Sequence, residues 1–132
     1  LSSDQLRVVA EVAESSGAAG LIATNTTVSR PDLKSAHGGQ AGGLSGRPLA
    51  DLATSVLVQL RDSTSLPVVS VGGIFTAGDV LDRLRAGASL VQLYTSFVYQ
   101  GPGLLRSIKQ TLLARMEADG LADLQALVGA SR

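Results

Sequence analysis

The stretch from Pro67 to Thr95 decides the fold. It reads Pro67-Val68-Val69-Ser70-Val71-Gly72-Gly73-Ile74-Phe75-Thr76, then Ala77 to Ala86, then Gly87-Ala88-Ser89-Leu90-Val91-Gln92-Leu93-Tyr94-Thr95. Pro67 opens a run rich in β-branched residues, Val68 to Val71, which Gly72-Gly73 closes, as a short strand would be bounded. Thr76 is suited to cap a helix that runs through Ala86 with Val80 and Leu84 inward, and Gly87 ends it. Leu90-Val91-Gln92-Leu93 is a further strand. A strand, a helix and a strand in this order make a parallel pair joined by a right-handed crossover.

The same alternation extends outward. Gly20 to Asn25 fits a strand buried on both faces. A helix over Ser2 to Ser16 precedes it, with Ser3 as the expected N-cap, Leu6, Val9, Val12 and Ala13 as its apolar stripe, and Gly17 as its stop. Residues 48 to 64 are helical, with Pro48 in the first turn and Leu49, Leu52, Ala53, Val56 and Leu60 on one face. Beyond Thr95, a helix from Pro102 to Ala118 carries the stripe Leu105, Ile108, Leu112 and Met116. Gly120 breaks it, and a short helix from Leu121 to Val128 follows. Residues 26 to 47 form a loop rich in Gly, Ser, Thr and Pro, of a length that usually signals function or disorder. The fold class is α/β with about three parallel strands. Two architectures satisfy it: an open doubly wound sheet, or part of a TIM (βα)8 barrel. Three strands do not close a barrel, and a complete one takes about 250 residues.

Composition narrows the function. The 132 residues are 45% hydrophobic and 17% charged, enough for one buried core and too apolar for disorder. Eleven basic and eleven acidic residues cancel, so no charge excess points to nucleic acid. The absence of cysteine excludes disulfides, thiolate metal sites and a cysteine nucleophile within the chain. No apolar run reaches the roughly 18 residues of a membrane span. The opening Leu-Ser-Ser-Asp-Gln-Leu lacks the features of a signal peptide and reads as a helix start in mid-protein.

The strands share one further property. Each ends in small or polar groups: Thr24-Asn25-Thr26, Ser70-Val71-Gly72-Gly73, and Tyr94-Thr95. Parallel α/β folds place their sites at these ends. Glycines at Gly72-Gly73 let the backbone approach a ligand and point N–H groups at an anion, although a tight strand-to-helix turn needs the same residues. Paired with Tyr94-Thr95 one unit later, they favour a phosphate site. Gly42-Gly43-Leu44-Ser45-Gly46-Arg47-Pro48 stands before a helix and offers a second glycine-rich cradle, weak as a signal on its own. Asn25, the sole asparagine, offers a donor and an acceptor to a planar polar ring. It also opens a glycosylation sequon, which the end of a buried strand makes a poor acceptor. His37 lies in the loop with no partner at metal-ligand spacing, so no metal site is expected. Lys34 and Arg47 are loop cations, of a kind mostly solvated. No general base stands out. The residues alone indicate a parallel α/β segment that binds a phosphorylated ligand.

Three strings resemble, in order and spacing, the last third of the dihydroorotate dehydrogenases. They are Thr24-Asn25-Thr26-Thr27-Val28-Ser29-Arg30-Pro31, Gly42 to Leu49, and Val71-Gly72-Gly73-Ile74 through Arg85 to Thr95. The first is similar to the membrane-associated, quinone-using class. The resemblance implies oxidation of dihydroorotate to orotate in pyrimidine synthesis, with FMN as cofactor and a quinone as electron acceptor. It implies that Asn25 and Thr26 bind substrate. Thr24 would lie against the flavin, and Ser45, Gly46, Gly72, Gly73, Tyr94 and Thr95 would bind FMN, chiefly its phosphate. The strands would be the sixth, seventh and eighth of the barrel, and residues 1–132 a single partial barrel. The family's catalytic serine base, its flavin-contacting lysine and its N-terminal membrane-docking element match nothing in this sequence. No catalytic residue is therefore expected here, and the chain by itself is not expected to turn over dihydroorotate. A stand-alone phosphate- or nucleotide-binding module and a dimerising half-barrel are the alternatives. Abundant Ala and Gly, with Lys34 and Lys109 the only lysines among eleven basic residues, suit a GC-rich bacterium. That places the expected location peripherally at a bacterial inner membrane rather than a mitochondrial one.

Overall fold

A computed structural model describes residues 1–30 and 33–130, so Pro31 of the first string lies outside the described residues. Eight regular elements follow in chain order: α1 (Ser3–Ser15), β1 (Leu21–Ala23), α2 (Ala50–Ser63), β2 (Val68–Val71), α3 (Ala77–Arg85), β3 (Leu90–Gln92), α4 (Thr95–Gln100) and α5 (Gly103–Asp119). The strands form one parallel sheet in the order β1-β2-β3. Leu21 stands opposite Val68, Ala23 opposite Ser70, and Ser70 opposite Val91.

Alternation along the strands puts side chains on two faces, and the helices cover only one. Ala23, Val68 and Ser70 are buried beneath them. The other face carries Ile22, Val69 and Leu90 in register, with Ile22 70% and Leu90 64% exposed. The expectation that the first strand is buried on both faces is corrected by this one-sided cover.

The core has two clusters. Leu6 and Ala10 of α1 and Leu57 and Leu60 of α2 close over Ala23 and Val68. Val80 and Leu84 of α3 pack with Leu104, Ile108 and Leu112 of α5 around Ile74. Both clusters have shifted from the expected stripes. Val9 and Val12 are exposed because α1 meets α2 through Leu6 and Ala10. Leu57 and Leu104 are buried in preference to Leu52 and Leu105.

The helix ends obey local chemistry. Thr76 caps α3 in a capping box with Asp79, as expected. Ser2, not Ser3, caps α1, because Gln5 three residues later completes its box. Arg47–Leu49 forms a 3-10 turn that leads into α2. Leu124–Leu127 forms only a 3-10 turn where a short helix was expected. The sequence reading contained no helix at α4, whose six residues are too few for an apolar period to register.

Candidate functional site

The segments after the three strands meet the loop before α2 in one cleft of about 390 Å³. Thr24, Asn25 and Thr26 follow β1, Gly72 and Gly73 follow β2, Tyr94 and Thr95 follow β3, and Ser45 and Gly46 come from the loop. All nine residues singled out from the sequence thus share one cleft. Among the described residues, no charged side chain lines it.

Close packing of backbone holds these segments together. Gly73 has φ +71°, and a Cβ placed there would lie 2.6 Å from the Ala50 nitrogen, so only glycine lets this turn sit against the start of α2. Gly46 has φ +84° and packs against Thr95, whose hydroxyl donates to Ser45 Oγ at 2.9 Å. The loop joins the end of β1 by a two-way bridge: Thr27 N–H donates to the Leu44 carbonyl at 3.0 Å, and Leu44 N–H to the Thr27 carbonyl at 2.7 Å. Arg30 ties this bridge down by donating to the carbonyls of Thr27 and Gly42. The long loop is therefore an ordered wall at these points.

The cleft is rich in unused donors. Neither the turn that follows Gly46 nor α4, which starts after Tyr94, has a side-chain cap. In the turn Pro48 has no N–H and Leu49 donates to the Gly46 carbonyl, which leaves the Arg47 N–H, while the first-turn N–H groups of α4 have no intrahelical acceptor. The Gly73 N–H has no acceptor among the described residues. Ser96, 2% exposed at the wall of the cleft, has a buried hydroxyl without a partner, an uncommon state for such a group. Asn25 uses its Oδ1 to accept the Thr26 N–H at 2.7 Å. Thr24 donates from its N–H to the Val71 carbonyl at 3.0 Å, which joins the ends of β1 and β2.

Two arginines frame this cradle. Arg83 is 3% exposed. Its guanidinium donates to Ser70 Oγ at 3.0 Å, the Ala50 carbonyl at 2.8 Å and the Gly72 carbonyl at 2.9 Å. Burial pushes its pKa down, opposed by the charges of Asp79, Asp51 and Asp82. Arg47, although exposed, is not a lone loop cation. It lies 4.6 Å from the centre of the Phe75 ring and pairs with Asp79 at 3.0 Å. Burial acts to raise the Asp79 pKa. The Phe75 and Thr76 N–H groups, the Thr76 side chain and the Arg47 charge outweigh it and hold the carboxyl below the usual range. Lys34 and His37 are exposed in the loop, outside the cleft.

Arg83, Ser96, Phe75 and Arg30 are the residues that sequence reasoning passed over as individuals. Arg83 carried a usable signal: it stands three residues after Val80 and one before Leu84, on the inward face of its helix, where a charged residue is rare.

Comparison with known proteins gives the family and the fold. Residues 2–116 match the family model described as dihydroorotate dehydrogenase. The chain is 47% identical over 134 residues to a dihydroorotate dehydrogenase (quinone) of Cereibacter sphaeroides, covering 100% of this chain and 38% of that protein. It is 46% identical to the enzyme of the same name from Myxococcus xanthus, covering 98% of this chain and 36% of the relative. The chain thus spans little more than a third of these relatives' length. Among solved structures, a DHODH from Eimeria tenella in complex with ferulenol superposes with a TM-score of 0.91 at 39% identity, covering 98% of this chain and 35% of that one. The three parallel strands and their helices therefore reproduce part of a known DHODH structure, and the chain belongs to the dihydroorotate dehydrogenase family.

Proposed function

We propose that residues 1–132 form the flavin-phosphate site and one edge of the substrate site of an enzyme that oxidises dihydroorotate to orotate and passes the electrons to a quinone. One observation carries the reading: backbone donors after β2 and β3 and in the turn after Gly46 converge, beside the polar end of β1, on a single cleft without charged walls among the described residues. The three strands would be adjacent members of a barrel, completed by chain outside these residues.

The cradle fits the phosphate of FMN. Gly73 packs without a Cβ against the start of α2, an orphaned hydroxyl waits at Ser96, and the donors of the cradle are neutral N–H groups. Such donors bind a dianion by geometry and partial charge. Gly46, Gly73, Tyr94 and Thr95 would hold the phosphate, with Ser45 and Gly72 shaping the turn. Thr24, tied to the end of β2, would support the ring. Asn25 would offer its amide N–H to the pyrimidine while its oxygen stays with Thr26, and Thr26 would close the carboxylate side. FMN, when bound, supplies the two-electron oxidation. The residues here bind and orient; the proton-abstracting base would come from another part of the barrel. Quinone access and peripheral attachment to a membrane belong to the same proposal. Among the described residues, no helix is long and apolar enough to cross a membrane.

The test is steady-state orotate formation by the intact enzyme carrying Asn25→Ala. Loss of an oriented substrate hydrogen bond should lower kcat/KM for dihydroorotate by about 10- to 100-fold while flavin content stays unchanged. Full activity would remove Asn25 from the substrate site.

A further inference from the structure

Among the described residues the cleft has no charged side chain, yet its proposed ligand carries a double negative charge. A buried positive charge, Arg83, stands behind the turn that lines the cleft. Its acceptors, Ser70 Oγ and the carbonyls of Ala50 and Gly72, are all uncharged, and it forms no ion pair among the described residues. A guanidinium buried without a carboxylate is costly unless other charge or hydrogen bonds offset it. All three contacts fall on the elements that build the cradle: β2, the turn after it, and the first residue of α2.

The contact to Gly72 carries the argument. Its carbonyl and the Gly73 N–H belong to one planar trans peptide, in which the two groups point in opposite directions. Holding that carbonyl toward Arg83 turns the Gly73 N–H away from the interior, on the side where Gly73 lines the cleft. The contact to the Ala50 carbonyl fixes the start of α2 in the same frame. This is the surface against which Gly73 packs too closely for a Cβ.

We propose that Arg83 is a positioning residue for the flavin phosphate: it sets the direction of the Gly73 N–H through the Gly72 carbonyl and, engaged in no direct ion pair among the described residues, places a positive charge behind the cradle. The assignment rests on the phosphate reading given above, and the experiment separates the two. Dissociation constants for FMN and for riboflavin, which lacks the phosphate, would be measured on the intact apo-enzyme by flavin fluorescence. The parent protein should prefer FMN; equal affinity for both flavins would overturn the phosphate reading and this assignment with it. Given that preference, Arg83→Met should weaken FMN by about 10- to 100-fold and leave riboflavin nearly unchanged, and Arg83→Lys should restore much of the preference. A purely structural arginine would weaken both flavins alike, and that result, or no change in either, would overturn the proposal. Should Arg83→Met not fold, Arg83→Gln is read by the same criterion. A selective loss of FMN supports the assignment, and a parallel loss or none overturns it.

Discussion

Replacing Gly73 by alanine tests the backbone cradle most directly. At φ +71° an L-residue takes on the left-handed conformation, which costs about 1–2 kcal/mol. The new Cβ would also lie 2.6 Å from the Ala50 nitrogen, inside van der Waals contact, against backbone that belongs to α2 and moves only with it. Overpacking of that kind adds about 1–3 kcal/mol. Together these give about 2–5 kcal/mol, equivalent to about 30-fold to several thousandfold if all of it falls on flavin binding. Gly46→Ala is the internal control. Gly46 also has positive φ, but its nearest neighbour would be Thr95 Cγ2 at 3.1 Å, the end of a side chain. With ψ −156° Gly46 lies in a region that is nearly glycine-only, so its cost should stay near the conformational strain alone, about 1–3 kcal/mol. The assay has two parts: the flavin-to-protein ratio after gel filtration, and the urea midpoint of the apo-protein. The midpoint separates lost stability from lost affinity. Gly73→Ala should lose most of its flavin, and Gly46→Ala should keep more. Full flavin content and an unchanged midpoint in Gly73→Ala, or a larger effect at Gly46, would refute the reasoning.

Other outcomes follow from the packing and the charges. Leu57 is fully buried between α1, α2 and β2, so Leu57→Ala should cost about 2–5 kcal/mol in urea unfolding of the intact protein; a loss below about 1 kcal/mol would mean the site collapses without a cavity. The folded Asp79 has a pKa below its ordinary value of about 3.9. Its stabilising contribution is therefore complete above about pH 4 and is lost as pH falls through the folded value. Thermal melts of Asp79→Asn should thus fall less steeply than the parent's between pH 5 and 3, and parallel slopes would exclude the linkage. Finally, the uncovered sheet face and its two unpaired edge strands should make the isolated 132-residue chain self-associate. Sedimentation velocity should show concentration-dependent association that Ile22→Lys with Leu90→Lys reduces; a clean monomer at every concentration would count against an interior-facing surface.

Much of the fold was legible because local chemistry carries it. The Val68–Val71 strand, the Thr76 cap and the Gly87 stop were each readable from residue types within a few positions of one another. The site was legible for a related reason: in parallel α/β folds, topology puts the ends of successive strands together, so polar residues at three strand ends imply one cluster. Where the reading erred, the deciding interaction was distant in sequence. Val9 and Val12 fit a helical stripe as well as Ala10 does, and only the line of approach of α2 decides which of them is covered. Ile22 and Leu90 look like core residues, yet among the described residues no element covers their face of the sheet.

By itself, then, the sequence determined the parallel α/β class, the family and the nine residues of the cleft, because turn glycines, caps and strand-end polar groups act over short range. It left two matters to the tertiary structure. One is the closeness of Gly73 to Ala50, 23 positions apart in the chain, which turns a permissive residue into a required one. The other is the position of Arg83. On the sequence it is one more helical arginine; in the fold it is buried beneath the Gly72 carbonyl. Its solvation is replaced by three acceptors from two separate segments, Ser70 to Gly72 and the start of α2, and no local pattern records where those segments meet.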